Sequence, residues 1–399
     1  MTQHPLTLHR TTDTITRGYF NHYARTMKKY IAFVFCFLIA APFAAAQDAV
    51  KIQQSIDKAV AYLRQTQSEA GSWSVSPRTG IGPTAIILAG LLDAGISPDD
   101  PMIVKGLKLL ESSAREDGGI YTPDGFFQNY ETCVIVMCFA KANAIAQKKE
   151  GKEPYKELLT KAEKYLRKHQ YTESIDTNPE DPKYGGIGYG NTMTRPDLSN
   201  MQFFLDALKA TGAKEDDPAI QKALVFVSRC QNLETEHNTM PFIGAQTKEG
   251  LDGGFIYVNQ PDISNAGNAR GLRSYGSMTY AGFKSLIYAG LTKEDKRFQA
   301  ALEWLMKNYT VKENPGVGAA GLYYYYQTMS KTLDVLNLPQ FEDAAGKQHN
   351  WRAELSAHLI SIQKTNGSWV NEDSGQFVEN DANLVTGYAL LALALCLRK

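Results

Sequence analysis

The chain has 399 residues, of which 43% are hydrophobic and 11% aromatic, so it can bury one large hydrophobic core. Lysine and arginine together number 42, as do aspartate and glutamate. Five of these basic residues but only one of the acidic residues lie within the first 46 positions, so the remainder is slightly acidic. Because nucleic acids and anionic lipids attract basic surfaces, this balance argues against both as electrostatic partners.

The first 46 residues differ in character from the rest. Met-Lys-Lys at residues 27–29, an apolar run over Tyr30–Phe43 and three alanines at residues 44–46 are typical of a secretory signal peptide, with cleavage before Gln47. Residues 1–26 lack such a pattern, so a translation start at Met27 stays open, as does an uncleaved membrane anchor. We expect an exported protein, periplasmic or extracellular, with a leader over 1–46, one domain over 47–399 and no further transmembrane segment.

Beyond residue 46 the same pattern occurs six times: an amphipathic helix, a turn usually rich in glycine, and a second, more apolar helix. In chain order the predicted pairs are Ala59–Gln67 with Ala85–Ala94, Val104–Ser113 with Thr132–Ala142, Ala162–Gln170 with Met201–Ala210, Ala219–Gln231 with Met278–Ala289, Phe298–Tyr309 with the run that continues through Leu336, and Leu355–Gln363 with Leu384–Leu397. Because a helix that is apolar nearly all round is usually buried, the second helices should form an inner ring and the first helices an outer ring. The pattern predicts an all-α fold, an α/α toroid of six helix pairs.

The first and last turns share one sequence element. Gln67–Trp73 and Gln363–Trp369 both have the form Gln-x-x-x-Gly-x-Trp. With the six helix pairs, this element resembles the terpenoid cyclase and protein prenyltransferase superfamily, in particular its squalene-cyclase-type repeats, over almost the whole chain after the leader. Large aromatic residues at repeat positions are usually part of the core, so Trp73, Trp369, Tyr121 and Phe255 should fill gaps between helix pairs.

Candidate acids occupy the starts of the inner helices. Because the positive ends of helix dipoles meet there, a buried carboxyl group can acquire a shifted pKa and carry chemistry. Three of the starts are acidic, at Glu131, Asp197 and Asp381. In class II cyclases of the superfamily an Asp-x-Asp-Asp motif at such a helix start protonates an alkene or epoxide, and the corresponding residues 197–200 are Asp-Leu-Ser-Asn. Only the first aspartate is retained, which argues against standard class II chemistry and leaves a helix-capping role open for all three acids.

Polar and aromatic side chains supply the candidate ligand contacts. Arg273, Tyr275 and Tyr280 lie at the start of the fourth inner helix, and Tyr323 opens a run of four tyrosines at the fifth. With Asn200, they should lie near the cavity, where aromatic faces stabilise carbocations in a cyclase or stack on a sugar chain. Only one or two of the four consecutive tyrosines can meet the cavity, and a packing role stays open.

Metal and cofactor chemistry have little support in the sequence. The histidines at positions 169, 237, 349 and 358 are scattered, and no Gly-rich phosphate loop ends in Gly-Lys-Ser/Thr. Protein prenyltransferases of the superfamily hold zinc through Asp, Cys and His, a set that this sequence does not reproduce. The pairs Asp99-Asp100 and Asp216-Asp217 precede prolines, which is typical of helix starts rather than of magnesium-diphosphate sites. We predict no metal and no cofactor.

Three functions are compatible with the sequence. The first, favoured by the export signal and the missing acid pair, is a toroid that binds an isoprenoid lipid, another extended ligand or a protein partner in its centre. The second is a divergent terpenoid cyclase or mutase with Asp197 as the acid. The third is a polysaccharide lyase or glycosidase on a related α/α ring, with a Tyr or paired carboxylates in proton transfer. Catalysis and simple binding both stay open at this point.

Overall fold

The computed structural model describes residues 48–73, 79–190, 195–260 and 272–398. The predicted leader, residues 1–46, lies outside these ranges. The chain divides into two units, Met1–Gln53 and Gln54–Lys399, and the described part of the first unit, residues 48–53, is helical. No helix within the described ranges is long and apolar enough to cross a membrane.

Helices provide most of the regular structure. In chain order they are α1 (residues 48–66), α2 (Gly82–Asp93), α3 (Pro101–Ser112), α4 (Gln128–Glu150), α5 (Lys156–Lys168), α6 (Leu198–Ala210), α7 (Pro218–Ser228), α8 (Pro241–Ala245), α9 (Gly276–Tyr288), α10 (Lys296–Lys307), α11 (Leu322–Val335), α12 (Trp351–Ser361) and α13 (Ala382–Cys396). Two short antiparallel strands, β1 (Phe341–Glu342) and β2 (Gln348–His349), form a hairpin between α11 and α12. A single 3-10 turn occupies Glu173–Ile175, and Gln376–Val378 form a turn with positive φ at Phe377 and Val378.

Six helices of the second unit form a closed inner ring. Helices α2, α4, α6, α9, α11 and α13 each pack against the next, and α13 packs back against α2. Helices α3, α5, α7, α10 and α12 lie outside, each against one or two inner helices. The inner helix α13 is buried from Leu384 to Cys396, whereas the outer helix α5 buries only Ala162, Tyr165 and Leu166. The predicted all-α toroid of paired helices is confirmed.

Hydrogen bonds from glutamine tie several turns to the next outer helix. Gln363 donates through Nε2 to the carbonyl oxygens of Gly367 (2.8 Å) and Ser55 (2.9 Å), and so joins the last repeat to α1. Gln67, Gln170 and Gln231 make the same pair of bonds in their own repeats. Since only Gln67 and Gln363 are followed by Gly-x-Trp, this clamp is more widespread than the sequence element suggests.

Buried plug residues follow the glycine turns. Trp73, Trp369 and Phe255 are buried, and each donates its backbone N–H to a threonine of the adjoining inner helix. In the second repeat Ile120 makes this bond, at 3.1 Å, and is fully buried. Tyr121 is partly exposed, and its hydroxyl donates to Asp117 at 2.7 Å. In this repeat the buried plug residue is therefore Ile120, one position before the predicted Tyr121.

The inner helix α4 extends well beyond its predicted C-terminal boundary. This helix continues to Glu150, past the predicted end at Ala142. Residues 143–150 contain no helix-breaking residue, and Gly151 then ends the helix in the left-handed conformation, with φ of 68°. The apolar pattern stops at Ala142 because the last two turns of α4 are largely exposed.

Candidate functional site

A cavity of about 170 Å³ lies at the N-terminal ends of the inner helices. All six inner helices, or the loops that precede them, contribute to its wall. The lining residues are Thr79, Pro83, Phe127, Tyr130, Tyr189, Ser199, Phe203, Tyr257, Tyr275, Ser277, Met278, Gly321, Tyr324, Phe377, Val378, Leu384 and Tyr388. Nine of these residues are aromatic, so ring surfaces dominate the wall.

Six rings of the wall contact one another in a chain, which we name the aromatic belt. Phe127 is edge-on to Tyr189 with ring centroids 5.2 Å apart, and Tyr130 is edge-on to Phe203 at 5.4 Å. The chain is completed by centroid separations of 6.1 Å for Tyr130 with Tyr189, 6.0 Å for Phe203 with Tyr324 and 6.0 Å for Tyr324 with Tyr388. Tilted and edge-on contacts at these separations are favourable for aromatic quadrupoles and hold the rings in place.

The polar side chains of the cavity wall all carry hydroxyl groups. Thr79, Ser199 and Ser277 contribute them beside the tyrosines, and no Asp, Glu, Lys, Arg or His within the described ranges lines the cavity. The Tyr324 hydroxyl lies 3.0 Å from Ser199 Oγ and accepts a hydrogen bond from Gln202 Nε2. Burial raises the pKa of Tyr324, so this hydroxyl stays protonated at neutral pH. The described wall is therefore uncharged.

Asp197 lies behind the cavity wall rather than in it. Its side chain caps α6, because Oδ1 accepts the backbone N–H of Asn200 at 2.9 Å and Oδ2 accepts Asn200 Nδ2 at 2.7 Å. Burial raises the pKa of Asp197 to about 6, although hydrogen bonds from Asn200 and from the Tyr257 side chain oppose the rise. Tyr257 itself lines the cavity. Its side-chain hydrogen bond therefore links Asp197 to the cavity wall.

The other two predicted acids bind backbone amides. Glu131 is 1% exposed, and it accepts the N–H of Ile81 through Oε1 at 2.8 Å and that of Thr122 through Oε2 at 2.6 Å. Burial raises the pKa of Glu131. Asp381 caps its own helix by accepting the N–H of Asn383 at 2.8 Å. None of the three predicted acids lines the cavity, so the structure does not assemble them into one acidic site.

Among the predicted ligand contacts, Tyr275 lines the cavity and the others do not. Arg273 is exposed, and its Nη1 donates to a backbone carbonyl at 3.4 Å. Tyr280 and Tyr323 are buried against the rings of neighbouring tyrosines, with centroid separations of 5.7 and 5.5 Å. The amide of Asn200 is bonded to Asp197 behind the wall.

Four tyrosines of the cavity wall, at positions 130, 189, 257 and 388, were not predicted from the sequence. In the four-tyrosine run, Tyr324 reaches the cavity, one position beyond the predicted Tyr323. One residue turns a side chain by about 100° around a helix, so an error of one position changes its surroundings completely. Tyr189 and Tyr257 each follow a fully buried residue, Ile187 or Phe255, by two positions. A tyrosine at this spacing after the glycine turn is the signal that could have identified both.

Metal-ligating and nucleophilic side chains do not gather at the cavity. No group of three or more His, Cys, Asp or Glu within the described ranges is placed to hold a metal ion. The described cysteines are buried and form no disulfide, and burial raises the pKa of Cys138 to about 12. They are therefore unreactive thiols of the core.

Comparison with solved structures finds this fold in terpene cyclases. The type II terpene cyclase MstE from Scytonema matches with a TM-score of 0.50 and 13% identity over 87% of this chain and 98% of that chain. A variant of that cyclase in complex with its substrate geranylgeranyl dihydroxybenzoate matches with a TM-score of 0.47 and 13% identity over 88% and 99% of the two chains. No family profile matches the sequence, and no curated protein is significantly similar to it. The resemblance to the terpenoid cyclase superfamily is thus confirmed at the level of the fold.

Proposed function

We propose that this protein is an exported toroid that binds a neutral, apolar isoprenoid chain in its aromatic cavity. The observation that carries the proposal is the aromatic belt around a cavity whose described wall has no charged side chain. Ring faces bury apolar chains well and also attract partly positive groups. A diphosphate would need cations or a metal for its charge, so the wall favours a hydrocarbon or an alcohol over a prenyl diphosphate.

One polar head group would find a partner in this cavity. Ser199 Oγ and the Tyr324 hydroxyl, 3.0 Å apart, can each donate to or accept from a ligand hydroxyl. The fold similarity to a type II terpene cyclase supports an isoprenoid as the ligand class. Recruitment of a protein partner has no comparable support, because no described surface feature indicates one.

A divergent cyclase is the second candidate. The observation in its favour is the contact between Asp197, whose pKa burial raises to about 6, and the cavity residue Tyr257. Against it, the Asp197 carboxyl group is bonded to Asn200 and does not face the cavity. A polysaccharide lyase is less well supported, since Arg273 is exposed and does not lie beside Tyr275 in the cavity wall.

Binding of geranylgeraniol and of geranylgeranyl diphosphate, measured by fluorescence titration and calorimetry, tests the proposal. Tyr324→Leu should weaken geranylgeraniol binding about tenfold because a ring and a hydroxyl of the wall are lost, an effect of about 1.4 kcal/mol. Tyr323→Leu, at a buried neighbouring position outside the cavity, is the matched control and should leave affinity unchanged. Tighter binding of the diphosphate than of the alcohol would refute a neutral ligand.

Product analysis by gas chromatography and mass spectrometry separates binding from catalysis. The protein and its Asp197→Asn variant are incubated with squalene, oxidosqualene and geranylgeraniol. A cyclic product that the variant does not form would establish the cyclase candidate. Saturable binding without any product from either protein would support the binding toroid.

A further inference from the structure

The segment at the cavity mouth, residues 375–379, which we name the mouth strap, combines a strained backbone with two apolar side chains that line the cavity. Phe377 has a φ of 58° and Val378 a φ of 65°, so two consecutive residues with side chains occupy the left-handed region. A β-branched residue there is a conformational outlier, because its side chain crowds the backbone. Both side chains line the cavity, yet Phe377 is 62% exposed and Val378 38%.

One end of the mouth strap is firmly anchored. Glu379 is fully buried, and its Oε1 accepts the N–H of Tyr324 at 2.9 Å while its Oε2 accepts Asn371 Nδ2 at 2.7 Å. The carbonyl oxygen of Val378 accepts the N–H of Asp381 at 3.0 Å. The ring of Phe377, by contrast, lies against Gly321. A Cβ added at Gly321 would be 3.2 Å from Cδ2 of Phe377. Movement at Phe377 therefore leaves the side-chain bonds of Glu379 intact, although a change of the Phe377 and Val378 backbone would break the 3.3 Å bond from the Glu379 N–H to the Gln376 carbonyl oxygen.

Backbone strain of this kind is held in place by the surrounding structure, and it clusters at ligand clamps and switch regions. Because Phe377 lines the cavity and is also largely exposed, its side chain lies where the cavity meets the solvent. Return of Phe377 and Val378 to negative φ would relax the backbone and move the ring off the cavity.

We propose that Phe377 is a movable plug, which admits a ligand to the cavity and limits the length of the chain that the cavity encloses. The choice of a prenyl chain rests on the proposed function. The opening and closing of the cavity do not, so the two can be tested apart.

Access to the cavity can be measured without any ligand. Ser199→Cys places a thiol in the wall, and its alkylation by N-ethylmaleimide in the full chain is followed by peptide mass spectrometry at position 199. Adding Phe377→Ala should accelerate alkylation about tenfold or more, because molecules in which the Phe377 ring closes the cavity are no longer populated. Phe126→Ala is the matched control, since Phe126 is 49% exposed and lies outside the cavity wall, and it should leave the rate unchanged. Equal rates with and without Phe377→Ala would overturn the plug.

A second variant shifts the equilibrium in the opposite direction. Asn tolerates the left-handed region much better than Val, so Val378→Asn should stabilise the closed strap and slow alkylation at position 199. This variant keeps the test decisive if Phe377→Ala does not fold. Faster alkylation in Val378→Asn would contradict the inferred role of strain.

Ligand selection is then tested with prenols of increasing length. Association and dissociation rates, followed by protein fluorescence in stopped flow, should both rise in Phe377→Ala, and chains longer than the wild-type limit should bind. Unchanged rates and an unchanged length limit in that variant would refute selection by Phe377. If no prenol binds the wild-type protein while Phe377 still controls alkylation, the proposed ligand class fails and the plug stands.

Discussion

Glu131, Asn314 and Glu379 perform the same task at three places in the ring. Each accepts the backbone N–H at the start of the preceding inner helix, at 2.8 Å from Ile81, 2.9 Å from Ser277 and 2.9 Å from Tyr324. The positive helix end compensates for much of the cost of burying these acceptors. From the sequence, an acid at a helix start indicates a cap or a catalyst. The helix that Glu131 caps belongs to the preceding helix pair, so local spacing could not decide between them.

Asp197 should make the stability of the protein depend on pH. Its pKa is about 6 in the folded protein because of burial, against about 3.9 in an unfolded chain. Between these values the folded state retains a proton that the unfolded state has lost, so stability falls as the pH rises from about 4 to about 6. Two pKa units correspond to about 3 kcal/mol.

Urea denaturation of wild type and Asp197→Asn at several pH values measures this effect. The free energy of unfolding of wild type should fall relative to that of the variant by about 3 kcal/mol between pH 3.5 and pH 7. Taking the difference cancels the contributions of other carboxyl groups. A difference that stays constant over this range would show that Asp197 titrates normally.

At the scale of elements, a buried ionic cluster joins three neighbouring inner helices. Lys284 of α9 lies with its Nζ 2.5 Å from Oδ2 of Asp206 in α6, and both side chains are essentially inaccessible. The Tyr288 hydroxyl donates to Asp206 Oδ1 at 2.9 Å, and Lys331 of α11 lies 3.7 Å from the same oxygen. Burial lowers the pKa of Lys284 to about 8. These groups lie in the C-terminal halves of the inner helices, where negative dipole ends favour cations.

Loss of one partner of the buried Lys284–Asp206 ion pair should destabilise the ring strongly. Lys284→Met leaves Asp206 buried without its main partner and should lower the free energy of unfolding by about 3–5 kcal/mol, measured by urea denaturation. Adding Asp206→Leu should restore much of the loss, because a buried ion pair can be replaced by apolar side chains. Lys331→Met, at a partly exposed position, is the control and should cost less than about 1 kcal/mol. Equal losses in Lys284→Met and Lys331→Met would contradict the importance of the buried pair.

At the scale of the whole ring, the sequence predicts the architecture better than the site. Six apolar helices that each need burial on several sides are best accommodated by a closed ring, and that conclusion depends on patterns of ten residues or more. The cavity wall depends instead on the rotation of each inner helix about its axis. The predicted cavity residue Tyr323 and the observed one, Tyr324, illustrate this point, since a shift of one position decides which ring meets the cavity. Local sequence patterns do not determine that rotation, because it results from packing between distant repeats.

Closure itself depends on a close approach of the first and last inner helices. A Cβ at Gly90 would lie 2.9 Å from the carbonyl oxygen of Gly387, and a Cβ at Gly387 would lie 2.8 Å from Cγ1 of Ile87. Gly387→Ala should therefore force α13 away from α2 and lower the free energy of unfolding by about 2 kcal/mol, although Ala is the better helix former.

Gly244→Ala is the matched control for this prediction, since a Cβ at Gly244 in α8 has no atom within 4 Å. Thermal and urea unfolding, followed by circular dichroism, should show a neutral or slightly stabilising effect of Gly244→Ala, of up to about 1 kcal/mol. If Gly387→Ala stabilised the protein as well, the seam between α2 and α13 would have room for a methyl group. The closure of the ring would then depend on the glutamine clamp between Gln363 and Ser55 rather than on the contact between these helices.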